Sequence, residues 1–169
     1  MRALFNARPV RATAFAFAAV LGLAGPALAA DFDYVIPKGT ACPNFDLRAQ
    51  GTGGNLVTKE WLDENGKVVK SITGGKGFQL TFTNVSKPAN VLTLKSSGSV
   101  TKTAYNNSDA TSTMSIMGHN VLIMYPTDVP PGPTTTLYVG RVSFTIDANQ
   151  VFTILTTSGK STDICAALA

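Results

Sequence analysis

The segment Phe78-Gln79-Leu80-Thr81-Phe82-Thr83 alternates apolar and polar side chains at every residue. A period of two is that of a β-strand, whose successive side chains point to opposite faces. It places Phe78, Leu80 and Phe82 against a core and Gln79, Thr81 and Thr83 in water. Two other segments repeat the pattern: Phe45, Leu47 and Ala49 alternate with Asp46, Arg48 and Gln50, and Val142, Phe144 and Ile146 alternate with Ser143, Thr145 and Asp147. Threonine is abundant throughout, and its branched side chain suits a pleated surface.

Turn chemistry falls between these runs. Asp63-Glu64-Asn65-Gly66 separates residues 57–62 from 67–72 and predicts a hairpin, with Gly66 able to take the positive φ of a tight turn. Gly74-Gly75, Ser97-Gly98, Asn106-Asn107, Gly118 and residues 147–150 punctuate the rest, close to the spacing of about 8–12 residues found in sandwiches and barrels. No long window carries a helical stripe; residues 162–169 alone suggest a short terminal helix. The reading is one all-β domain, an antiparallel β-barrel or β-sandwich of about eight to ten strands.

Two segments depart from alternation. Val121-Leu122-Ile123-Met124-Tyr125 is apolar on both faces. It reads first as a central strand covered on both sides, and second as a strand one face of which lines a ligand cavity or a partner interface. Pro126-Thr127-Asp128-Val129-Pro130-Pro131-Gly132-Pro133 follows, where four prolines remove four backbone donors and predict a rigid surface loop. Stiff loops on β scaffolds can recognise partners, so the candidate ligand or interface residues are Leu122, Met124, Tyr125 and Asp128.

The chain starts with Arg2, Arg8 and Arg11, an apolar run over residues 12–24, the breaker Gly25-Pro26, and then Ala27-Leu28-Ala29. That order is a Sec-type signal peptide over residues 1–29, cleaved before Ala30, which leaves a secreted all-β domain over 30–169. The run of about 13 apolar residues is too short for a membrane span, which needs roughly 20. Losing the three arginines takes 14 basic residues to 11 against 10 acidic ones, so a formal charge of +4 becomes +1. A near-neutral chain without clustered Lys and Arg argues against nucleic acid as a partner.

Cys42 and Cys165 are the two cysteines of the chain. In an oxidising compartment such a pair predicts a disulfide, here tying the two termini of the mature chain and contributing about 4–5 kcal/mol in a chain-entropy estimate. Metal ligation needs three or four ligands at defined spacing, and one histidine with two distant cysteines does not supply them. No cofactor is expected, because no glycine-rich phosphate loop leads a strand into a helix.

His119, the single histidine, lies in Met117-Gly118-His119-Asn120 and is expected at a turn. A hydrolase or isomerase using His119 and Asp128 is conceivable, but no G-x-S-x-G nucleophile elbow is present. Glu60, Asp63 and Glu64 alongside Lys59, Lys67 and Lys70 read as a mixed-charge hairpin surface with cross-strand pairs. Trp61, Tyr105, Tyr125 and Tyr138 are dispersed and read as core and rim aromatics rather than a sugar-stacking platform. Asn84-Val85-Ser86 and Asn106-Asn107-Ser108 match the glycosylation pattern, to which the bacterial-type signal gives no weight.

The Pro126–Pro133 segment, then Thr135-Thr136-Leu137-Tyr138-Val139-Gly140-Arg141, and the ending Ser161-Thr162-Asp163-Ile164-Cys165 resemble a group of small secreted actinobacterial proteins of unknown function. The resemblance is sharpest from Val121 onward. It implies secretion, a β fold and the terminal cysteine, and carries no catalytic residues. From the export signal, the missing catalytic constellation and the apolar strand beside a stiff loop, the function expected is that of a secreted, non-enzymatic binding or interaction domain for an unknown ligand or partner, either a protein or a small apolar ligand. The alternatives are a barrel carrying a small apolar ligand and the His119/Asp128 enzyme.

Overall fold

The computed structural model describes residues 32–95 and 99–169, so the expected signal peptide, residues 1–29, lies outside the described residues. The described chain forms ten strands: β1 (Phe32–Ile36), β2 (Leu47–Thr52), β3 (Asn55–Leu62), β4 (Val68–Lys76), β5 (Gln79–Asn84), β6 (Val91–Lys95), β7 (Ser99–Asn106), β8 (Thr111–Met124), β9 (Thr134–Ile146) and β10 (Phe152–Asp163). One short helix, α1 (Ile164–Ala167), follows. The predicted hairpin is β3–β4, and Asp63 Oδ1 sets its turn by accepting the amides of Asn65 and Lys67.

The strands make two antiparallel sheets, ordered β1-β2-β5-β6 and β10-β9-β8-β7-β4-β3. Neither sheet closes on itself, so the fold is not a barrel. The reason lies in the breaks between collinear strands. Gly53-Gly54 separates β2 from β3, and Gly77-Phe78 separates β5 from β4, so neighbouring strands pass from one sheet to the other instead of curling into a ring.

Two cores result. In the first, Leu47 and Ala49 of β2 and Leu80 and Phe82 of β5 pack with Val121 and Ile123 of β8, Leu137 of β9, and Ile164 and Leu168 around α1. The alternating segments supply it as expected; each large side chain fully buried, such as Phe82 or Leu47, contributes roughly 1.5–3 kcal/mol. In the second, Met114, Ile116, Leu122 and Met124 of β8 pack with Val142 and Phe144 of β9 and Phe152 of β10. The apolar run at 121–124 is thus covered on both faces, the odd residues by one core and the even residues by the other.

The second core exists because β8, β9 and β10 fold back on themselves. Gly118 pairs with Gly140, and Gly140 with Gly159, one row across three strands. All three have positive φ, at 103°, 145° and 93°. A Cβ on Gly140 would run into the Ser158 carbonyl oxygen, and one on Gly159 into that of Val139. If β8 were straight, Ser112 and Met124 would stand about 40 Å apart. Yet Asp128, four residues past Met124 and so at most about 14 Å beyond it, accepts the amide of Phe152, which lies in the Ser112–Ile146–Phe152 row. A crease at the glycine row reconciles these positions. His119 accordingly lies inside β8, paired with Val139, and not at the expected turn: the glycine bends the strand without ending its ladder.

The proline-rich segment is the loop between β8 and β9. Val129 donates to the Phe152 carbonyl and accepts from the Ile154 amide, laying the loop along the free edge of β10. At the other end, the Cys42–Cys165 disulfide, with Cα atoms 5.5 Å apart, joins the segment before β2 to α1. Buried Asn84 donates to the Leu168 carbonyl at 2.9 Å and fixes the same corner.

Candidate binding surface

The residues singled out from the sequence do not form an open site together. Leu122 and Met124 are 1% and 2% exposed, inside the second core. Asp128 is buried, and its two carboxylate oxygens accept the amides of Tyr125 at 2.6 Å and Phe152 at 2.9 Å. It closes the loop onto the body of the protein. Tyr125 is half-buried and packs against the first core. A cavity of about 240 Å³ lies beside the disulfide, lined by Pro43, Phe45, Pro133, Asp163 and Ala166 among others; ligand pockets typically run to about 300–1,000 Å³. Among the described residues no cluster of His, Cys, Asp and Glu could hold a metal ion, and no helix is long and apolar enough to cross a membrane.

The four aromatics are dispersed over different surroundings. Tyr105 lies in register with Ser112, and its hydroxyl is 3.2 Å from Ser71 Oγ. Tyr138 packs against the second core, where burial raises its hydroxyl pKa above the ordinary value. Trp61 projects from the opposite face of the sheet.

That opposite face is the chemically distinctive surface. Strand alternation puts Lys59 and Trp61 of β3 on one side of the sheet and Glu60 on the other. Register then extends the face: Trp61 pairs with Lys70 and Lys59 with Ile72, Ile72 pairs with Lys102, Lys102 with Ser115, and Met117 with Arg141. Arg141 Nε donates to Ser115 Oγ at 3.0 Å, which turns the guanidinium toward the Lys102 row. Lys59, Lys70, Lys102 and Arg141 are all exposed. Among the described residues, register places no carboxylate on this part of the face, and none of the four makes an ion pair; the ion pair present is Arg48–Asp33, on the other sheet.

The charges are also crowded. The ammonium groups of Lys59 and Lys70 sit 5.1 and 5.0 Å from the centre of the Trp61 ring, so they lie within about 10 Å of each other, a Debye length at 0.1 M salt. Cation–π attraction to the indole holds each of them at about 0.5–1 kcal/mol, and the lysine stems flank the half-buried Ile72. The charged residues of the hairpin are exposed as expected, with Asp63 half-buried in the turn, but the expected cross-strand charge pairs are corrected. Glu60 pairs with Ser71 across the strand on the far side, and Asp63 is occupied in the turn. The Lys59-Glu60-Trp61 alternation was the available signal, but the contributions of β4, β7 and β9 depend on a register that sequence does not display. Comparison with family models, with characterised proteins and with solved structures gives no match to this chain.

Proposed function

We propose that the chain is an exported, non-enzymatic binding domain acting outside the cell or at its envelope, and that the face bearing Lys59, Trp61, Lys70, Lys102 and Arg141 is its contact surface. One observation carries the reading: four exposed cations and a tryptophan share a sheet face on which register places no carboxylate. Like charges held this close repel unless an occupant supplies anions. The Cys42–Cys165 disulfide supports a location in an oxidising compartment. Asp128 is buried and both its carboxylate oxygens accept backbone amides, which supports a loop-closing role for it over a catalytic one.

Co-sedimentation with the envelope fraction of the producing cells tests this. The purified protein is expected to sediment at low salt and to be released by raising salt, while a Lys59→Glu/Lys102→Glu variant with an unchanged denaturation midpoint stays in solution. Equal sedimentation of the two proteins would put the contact surface elsewhere.

A further inference from the structure

We infer that the occupant of this face is a linear acidic polysaccharide, a chain carrying a carboxylate or sulfate at regular intervals; the inference rests on the contact surface proposed above. The cations are arranged across the strands rather than along one. Lys59 stands on β3, Lys70 on β4, Lys102 on β7 and Arg141 on β9, with Ser115 of β8 filling the gap by its bond to Arg141. At about 4.8 Å per strand, Lys59 and Lys102, in one register row, are roughly 10 Å apart, and the whole track spans about 19 Å. An extended polymer with repeated anionic groups can meet several of these cations at once, whereas a single small anion meets one or two.

Trp61 supplies the second element. Its ring carries the two closest ammoniums, so a sugar against the indole would bring its acidic substituent next to a cation. Nucleic acid fits less well. Single-strand binders stack successive bases on several aromatic side chains, and Trp61 is the only tryptophan in the chain. Base reading in a duplex relies chiefly on arginine, and the one arginine here is bonded to Ser115.

The experiment is titration calorimetry of the purified protein with polygalacturonate and dextran sulfate. Uncharged dextran, duplex DNA and phosphatidylglycerol–phosphatidylcholine vesicles are the comparison ligands. At least one acidic glycan is expected to bind more tightly than every comparison ligand, and to weaken as salt rises. Lys59→Gln/Lys102→Gln is expected to reduce that binding roughly tenfold or more, with the single Lys102→Gln variant intermediate. Trp61→Ala should weaken it and Trp61→Phe should restore part of it. Tighter binding of DNA or of vesicles, or glycan binding indifferent to these substitutions, overturns the inference. Absence of binding to both acidic glycans, with envelope sedimentation still dependent on Lys59 and Lys102, overturns the glycan and leaves the contact surface standing.

Discussion

The carboxylate of Asp128 accepts the amide of Phe152 with one oxygen and that of Tyr125 with the other, so a single buried side chain ties the end of β8 to the start of β10. Both bonds are charge-assisted, and removing the carboxylate leaves amide donors without partners. Asp128→Ala is expected to cost about 2–4 kcal/mol, and Asp128→Asn less, since its amide oxygen can still accept one bond. Urea denaturation of the two variants reads this directly. An unchanged midpoint for Asp128→Ala would show that the loop is closed by something else.

The glycine row makes a second, position-specific prediction. Gly140 combines a positive φ with a backbone carbonyl where its Cβ would stand, whereas Gly66 in the β3–β4 turn has a positive φ and open space around it. Gly66→Ala therefore meets the left-handed penalty alone, roughly 1–2 kcal/mol. Gly140→Ala must also displace Ser158 and is expected to lower stability well beyond that. Thermal denaturation of the two variants side by side gives the comparison, and equal losses would remove the crease as a steric requirement.

What the sequence displayed, and what it concealed, divides along the same line. The cores' building blocks were visible because period-two alternation is local: Leu47, Leu80, Phe82, Val142 and Phe144 are buried as their spacing predicts. The crease was not visible, because Gly118, Gly140 and Gly159 lie about twenty residues apart and become a row only through strand register. Gly118 consequently looked like a turn. The cationic face was concealed in the same way. Net charge averages over both sides of a sheet, so a chain close to neutral can still segregate its lysines onto one side and Glu60 onto the other.

The disulfide closes most of the described chain, its cysteines standing 123 positions apart in sequence. Restricting the unfolded chain over such a loop stabilises the fold by about 4–5 kcal/mol in a chain-entropy estimate. Reduction, or a Cys42→Ala/Cys165→Ala variant, is expected to cost about 3–5 kcal/mol in denaturant titrations. Mass spectrometry of the intact protein, purified without reductant, should show two additional hydrogens only after reduction; free thiols before reduction would remove the crosslink from the account.

Tyr138 gives the fold an alkaline limit. Burial opposes ionisation of its hydroxyl and raises the folded pKa above the ordinary 10.0. Between the unfolded and folded values the unfolded chain binds fewer protons, so stability is intact below about pH 10 and falls as pH rises through the folded value. Ultraviolet titration should therefore resolve one tyrosine ionising above the ordinary range, and Tyr138→Phe should flatten the decline in stability on that side. A titration in which every tyrosine ionises at the ordinary value would contradict this.

Leu122 separates the two readings of the apolar run most cleanly. A residue reserved for a partner is exposed in the free protein, and truncating it weakens binding while leaving the fold as stable as before. A residue in a packed core costs stability through lost burial and the cavity left behind, about 2–5 kcal/mol for leucine to alanine. Leu122 is 1% exposed among Ile116, Met124, Val142 and Phe144, so Leu122→Ala is expected in that destabilising range. Val121→Ala, on the other side of the same strand, should destabilise through the first core instead. The two sets of core contacts are distinct, so the double variant should lose close to the sum of the two single losses, with any shortfall measuring the coupling through their shared backbone. A stable Leu122→Ala protein would return the even face of β8 to the list of candidate contact surfaces, and denaturant titration of the three variants decides it.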